Sequence, residues 1–366
     1  MRPSIVASRG RSPISGVQWR LPGVTSGRVL RTLDRAFAAD GLSPAGPPCT
    51  KLFVRGEPVV RAGAWGDERL ASRARHDVFA WARAAQTHDW ALFRALVTGL
   101  ELWFATRGLP QGRIEAEIFY GRYRETPGGI HREACSNLHL VVAGEKTMDF
   151  WTGNAWPPSG TAVREDWDPE SGAQEQYLSD LAPRDHRDRA RSLTAARGQG
   201  FAWDAGTWHV GRSADAPSLA LNVAAYGRGP ARQGPLLRSW SDRFAGEVPG
   251  DWLEAYRRHL GTDGSAGDLL ANLSGLGMRP PRPTQAGGPL AGPARRRAPV
   301  LWHGDGRVLR IAALGASIQV PDRADVRDWL GEVLRSREAN PNGPAGCRPV
   351  ARWLRARGAL TGRTGT

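Results

Sequence analysis

His131 and Glu133 stand two residues apart in Gly128-Gly129-Ile130-His131-Arg132-Glu133. On a strand, residues i and i+2 leave the same face, so an imidazole and a carboxylate would project side by side. A second imidazole must then arrive from another strand. His209, in Trp203-Asp204-Ala205-Gly206-Thr207-Trp208-His209, is the obvious supplier. Two His and one carboxylate on one side of a metal leave its other positions open, an arrangement suited to non-haem Fe(II) and oxygen chemistry. To bind, Glu133 must be a carboxylate and both imidazoles neutral. The same ligands would hold Zn or Mn. His139 shares the parity of His131 and is a rival ligand.

These residues need a β framework, and the surrounding pattern supplies one. Residues 113–120 alternate, placing Ile114, Ala116, Ile118 and Tyr120 on one face. Thr126-Pro127-Gly128-Gly129 turns the chain into the His131 strand, and two Gly let it bend sharply. Residues 136–143 form a β-rich run, Gly144-Glu145 a tight turn, and residues 146–151 the returning strand. The reversal lets Lys146 point into the same barrel as His131. A buried Lys needs a partner charge. The chain holds 50 basic residues, and only Lys51 and Lys146 among them are Lys.

His-x-Glu, a Lys on the following strand, and a distal His before Ser218-Leu219-Ala220-Leu221-Asn222-Val223 together resemble the JmjC-type branch of the cupin superfamily. The resemblance spans Ile114 to Tyr226. It implies a mainly β core, a double-stranded β-helix of the jelly-roll or cupin kind, over 111–230. It implies Fe(II) on His131, Glu133 and His209, with 2-oxoglutarate as co-substrate and O2 as oxidant. Lys146 would pair the far carboxylate of 2-oxoglutarate. Tyr120, Asn137 and Asn222 are further candidates for co-substrate contacts.

The flanks carry less chemistry. Residues 1–110 are expected to form an N-terminal flank with helices over 29–37, 67–86 and 89–107, the last starting at Asp89. The Trp residues of 89–107 read as core. Residues 152–198 are rich in Pro, Gly and charge. They form a long excursion between barrel strands and the best candidate for substrate specificity. Their Arg184-to-Arg189 run reads as a solvated helix face. A helix over 251–260 and a Gly/Pro-rich linker over 261–298 lead to a small basic α+β domain over 299–366, winged-helix-like in its order of strands and helices.

Charge and composition narrow the function. Formal net charge is +14, and the stretch from Arg279 onward holds 16 Arg against 6 acids. Either this is an Arg-rich composition with solvated charge, or the C-terminal domain holds an acidic partner. Three scattered Cys make no disulfide framework, and no apolar run has the length of a membrane span. The expectation is a cytoplasmic protein without membrane contact. The favoured reading is an oxygenase hydroxylating an amino-acid side chain in a peptide or protein held by the C-terminal domain. One alternative keeps the chemistry and takes a free amino acid or small metabolite. Another class is a non-oxidative metal-binding cupin or a nucleic-acid-binding protein. Lys146 argues against the former, and the absence of base-reading motifs against the latter. A homodimer is compatible with the sequence. The carbon attacked, and hydroxylation as against desaturation or demethylation, are left open.

Overall fold

The computed structural model describes residues 4–7, 14–40, 50–54, 57–58, 77–107, 109, 112–153, 156–168, 173–213, 216–226, 246–281, 295–296, 298–335 and 344–361. The chain divides into two units, Met1–Leu92 with Arg113–Ala231, and Phe93–Gly112 with Arg232–Thr366.

The first unit opens with β1 (Ser4–Ala7), β2 (Ile14–Arg20), α1 (Ser26–Asp40), β3 (Thr50–Val54), β4 (Glu57–Pro58) and β5 (Val78–Ala82). After α2 (Trp90–Arg107), which passes into the second unit, come β6 (Ile114–Arg122), β7 (His131–Glu133), β8 (Cys135–Ala143) and β9 (Glu145–Trp151). Next are β10 (Arg164–Asp168), β11 (Ala173–Tyr177), β12 (Arg191–Ala196), β13 (Gln199–Trp203), β14 (Trp208–Ser213) and β15 (Ser218–Tyr226). One sheet runs β1-β2-β13-β8-β15-β6-β5-β3-β4 and the other β10-β11-β7-β14-β9-β12. All their pairings are antiparallel.

The path between the sheets defines the fold. β6, β8, β13 and β15 sit together in the larger sheet; β7, β9, β12 and β14 sit together in the smaller. The chain alternates between the two sets, which is the double-stranded β-helix, or jelly roll. Ile14, Val141, Met148, Phe150, Phe201 and Trp203 come from both sheets and form one buried cluster between them. On the outer face of the smaller sheet, Trp151, Trp208 and Val210 pack with Ile130 and Leu178, and Trp156 and Leu181 close over them.

Two expectations about the flanks are corrected. Residues 78–82 form a strand, not the end of a helix, while 67–76 lie outside the described residues. Val78, Phe79, Ala80 and Ala82 are all buried, so no polar face was present to reveal a period of two. The excursion 152–198 is more ordered than a loop. It holds the β10–β11 hairpin, a 3-10 helix over Pro183–Arg189, and β12. Arg187 of the Arg/Asp run turns inward, its Nε 3.4 Å from the fully buried Asp149 carboxylate and an Nη2 3.0 Å from Glu125. Asp89 caps α2 as its side chain suggests, accepting the Leu92 N–H at 2.8 Å.

The second unit contains β16 (Gly246–Glu247), α3 (Gly250–Leu260), α4 (Ala266–Ser274), β17 (Arg295–Arg296), β18 (Val300–Gly304), β19 (Val308–Ala313), β20 (Ala316–Pro321), α5 (Ala324–Arg335), α6 (Arg348–Ala356) and β21 (Leu360–Thr361). β16-β18-β19-β20 form a four-stranded sheet, and β17 pairs with β21. The β18–β19 hairpin turns at Asp305-Gly306, where Gly306 has φ +86°. The expected linker 261–298 is corrected in part. Its residues 266–274 are α4, started by a Ser265–Asp268 capping box and buried through Leu269, Leu270 and Leu273. Residues 282–294 lie outside the described residues. Among the described residues, no helix is long and apolar enough to cross a membrane.

Candidate metal centre

β7 and β14 are neighbours in the smaller sheet, and their register sets His209 directly opposite His131. Glu133 leaves β7 on the same face as His131, two residues on. The two imidazole centroids are 4.4 Å apart. His131 Nε2 lies 3.6 Å from Glu133 Oε1, and His209 Nε2 lies 3.9 Å from Oε2. One ligand atom from each of the three lies within 4.8 Å of the others, the spacing of donors around a single ion.

Backbone carbonyls aim both rings. His131 Nδ1 is 2.8 Å from Gly129 O, and His209 Nδ1 is 2.9 Å from Thr207 O. A carbonyl can only accept, so each Nδ1 carries a proton and Nε2 is the atom each ring directs to the centre. Burial, then the neighbouring His131, lower the His209 pKa to about 4 against the pull of Glu133. Burial alone would raise Glu133, but its hydrogen bond to His131 and the charge of both imidazoles bring it down to about 2. The donor set is therefore a carboxylate and a neutral imidazole at physiological pH, with His131, raised by Glu133, able to lose its proton to an incoming cation. This chemistry fits Fe(II).

The Lys146 amine enters the same barrel from β9 and is 1% exposed. Its Nζ donates to Tyr123 Oη at 2.5 Å and sits 4.9 Å from the Phe119 ring centroid. Among the described residues, no carboxylate is within ion-pair distance of it, and burial lowers its pKa to about 7. Gly211 makes the space: a Cβ there would stand 3.0 Å from Lys146 Cε and from Met148 Sδ. A buried amine that meets a phenol hydroxyl and aromatic rings, and no carboxylate among the described residues, suits a carboxylate ligand.

The remaining candidates divide. Asn137 Nδ2 donates to Glu133 Oε2 at 3.0 Å, and Asn222 Nδ2 donates to Asn137 Oδ1 at 2.7 Å, so both Asn adjoin the triad. Tyr120 does not join them, a correction to its expected place. β6 turns Glu117 and Phe119 towards Asn222 and Lys146, and alternation sends Tyr120 to the other face. The hydroxyl beside Lys146 is that of Tyr123, just past the strand end. His139 is walled by Phe119 and Trp203, at ring distances of 5.3 and 6.0 Å, and stands apart from the three-residue ligand cluster.

Sequence reading also missed Tyr177. β11 pairs with β7, setting Tyr177 opposite His131 and Glu175 opposite Glu133. The Tyr177 ring stacks on His131 at 5.6 Å and 21°, and its hydroxyl donates to Glu175 at 2.5 Å. Gly128 permits this, because a Cβ at 128 would lie 2.8 Å from Tyr177 Cε1. Residues 173–177, Ala-Gln-Glu-Gln-Tyr, show no alternation of apolar and polar residues, so nothing local marked this strand.

No family model matches the chain, and no characterised protein matches it in sequence. Among solved structures it is similar to YcfD, a ribosomal oxygenase from Escherichia coli. One YcfD structure is 13% identical with a TM-score of 0.46, covering 98% of this chain and 94% of that one. A second is 11% identical with a TM-score of 0.49, covering 98% and 99%. A third, in complex with cobalt and 2-oxoglutarate, is 12% identical with a TM-score of 0.45, covering 98% and 94%.

Proposed function

We propose that the protein is an Fe(II)- and 2-oxoglutarate-dependent oxygenase of the JmjC type that hydroxylates an amino-acid side chain in a peptide or protein. The observation that carries this reading is the convergence of His131, Glu133 and His209 in one barrel with a buried Lys146 that has no carboxylate within ion-pair distance among the described residues. Fe(II) held by His131, Glu133 and His209 would supply O2 activation, with O2 as the oxidant: 2-oxoglutarate would give succinate and CO2 with one oxygen atom, and the other would go to a substrate C–H.

The chain's own residues do the rest. Gly129 and Thr207 hold the Nδ1 protons of His131 and His209, so each ring offers Nε2 as its ligand atom, His131 once it has given up its second proton. Lys146 and Tyr123 bind the distal carboxylate of 2-oxoglutarate, and Asn137 and Asn222 support Glu133 through their hydrogen bonds. Trp203 and Phe150, with rings 4.8 and 6.3 Å from His209, keep water from that side. Tyr177, stacked on His131 and hydrogen-bonded to Glu175, walls the centre on the hairpin side.

The test is succinate formation from 2-oxoglutarate with Fe(II) and O2, alongside a peptide screen read as a mass gain of one oxygen atom. His131→Ala should abolish both signals. A wild-type chain that binds metal yet never forms succinate would sink the proposal. Oxidation of free amino acids in place of peptides would shift it to the small-metabolite reading.

A further inference from the structure

Glu117 is a buried carboxyl that the proposed chemistry leaves unused. It projects from β6 into the barrel and is 7% exposed. Its neighbour Glu115 is held by Arg83 and Arg113 at 3.3 and 2.7 Å. Glu117 has no such cation within ion-pair distance among the described residues. Burial, with Glu115 and Glu133 nearby, raises its pKa to about 8. Keeping an acid in such a place costs stability, so a compensating role is expected.

Its hydrogen bonds point to that role. Asn222 Nδ2 donates to Glu117 Oε2 at 2.8 Å and to Asn137 Oδ1 at 2.7 Å. Asn137 Nδ2 then donates to Glu133 Oε2 at 3.0 Å. Each amide has a donor end and an acceptor end, so the series has one direction. With Glu117 Oε2 accepting at its origin, Asn222 turns its amine that way. Asn137 must then receive on its oxygen, which leaves its amine for Glu133. Without an acceptor at 117, Asn222 is free to turn over. Asn137 loses its donor and can present oxygen to oxygen at Glu133.

Resting on the metal-binding reading above, we infer that Glu117 is a positioning residue that fixes the rotation of the Glu133 carboxylate through Asn222 and Asn137. It touches neither ion nor substrate. Its effect is read in how tightly and with what geometry the ion is held.

The experiment is Co(II) titration of the full chain without 2-oxoglutarate, followed by quenching of tryptophan emission and by the visible Co(II) bands. Glu117→Leu should weaken Co(II) binding about 10–100-fold, the usual effect of losing a group that orients a ligand, and alter the bands. Glu117→Gln can still accept from Asn222 and should stay within about threefold, since one neutral acceptor replaces another. Asn222→Leu should reproduce the loss, and the double variant should be no worse than Asn222→Leu alone. Glu117→Met, of nearly the same length, takes the place of Glu117→Leu if that variant does not fold. A folded variant with no acceptor at 117 and unchanged affinity overturns the inference, as do additive losses in the double variant. A wild-type chain that takes up no Co(II) overturns the metal reading itself.

Discussion

At the scale of single residues, Lys146 makes the most exposed claim. Its folded pKa is lowered to about 7 from an ordinary 10.5 by burial. Between those values the unfolded chain carries a proton that the folded one lacks, so this group makes ligand-free stability rise with pH across that window. A bound dicarboxylate reverses the preference and restores the charge. Binding of 2-oxoglutarate should therefore take up a proton above about pH 7. Its affinity should be highest below that pH and fall by up to about tenfold per unit above it. Calorimetry with Mn(II) present, in buffers of different ionisation enthalpy, measures both. Lys146→Met should weaken 2-oxoglutarate binding roughly 10–100-fold, as for a lost hydrogen bond to charge, and abolish the proton uptake. Gly211→Ala should act on the same ligand from the opposite side. Its new Cβ would press on Lys146 Cε, so 2-oxoglutarate affinity should drop while Co(II) affinity stays unchanged.

At the scale of elements, the β10–β11 hairpin extends the sheet that carries His131, Glu133 and His209 and seats Tyr177 on His131. Gly128→Ala should unseat that ring, at a cost of about 1–3 kcal/mol for overpacking. Tyr177→Ala should remove most of that penalty from the double variant, a coupling visible in a melting-temperature cycle. These contacts also mark where sequence reading succeeds and fails. The barrel strands around 131, 146, 209 and 218 were legible because alternation and turn residues agreed with the ligand spacing. β5 was not, because a strand covered on both faces shows no alternation. Tyr120 was misplaced because β6 buries both faces, and the polar set, with Glu117, is the one facing the site. Tyr123 lies beyond the strand end, where parity no longer predicts direction. The hairpin sits among Pro, Gly and charge, so its pairing with β7 depends on contacts distant in sequence.

At the scale of the whole molecule, charge and composition carry the remaining claims. On α6, Arg348, Arg352 and Arg355 recur at helical spacing, and the helix contains no acid. Arg348 and Arg352 are exposed. If this unit holds an acidic protein substrate, Arg348→Glu with Arg352→Glu should raise its KM by up to about fivefold per residue, since exposed pairs contribute about 0.2–1 kcal/mol each. Succinate release without substrate should not change, and added salt should mimic the substitution. The scarcity of lysine has a separate use. Only two side-chain amines exist in the chain, and Lys51 is exposed while Lys146 is sealed in the barrel. An amine-acylating reagent should mark the first within minutes and the second only when the barrel opens. The ratio of the two labels, read by mass spectrometry after digestion, becomes a built-in clock for the breathing of the barrel, and occupancy by a dicarboxylate should slow it.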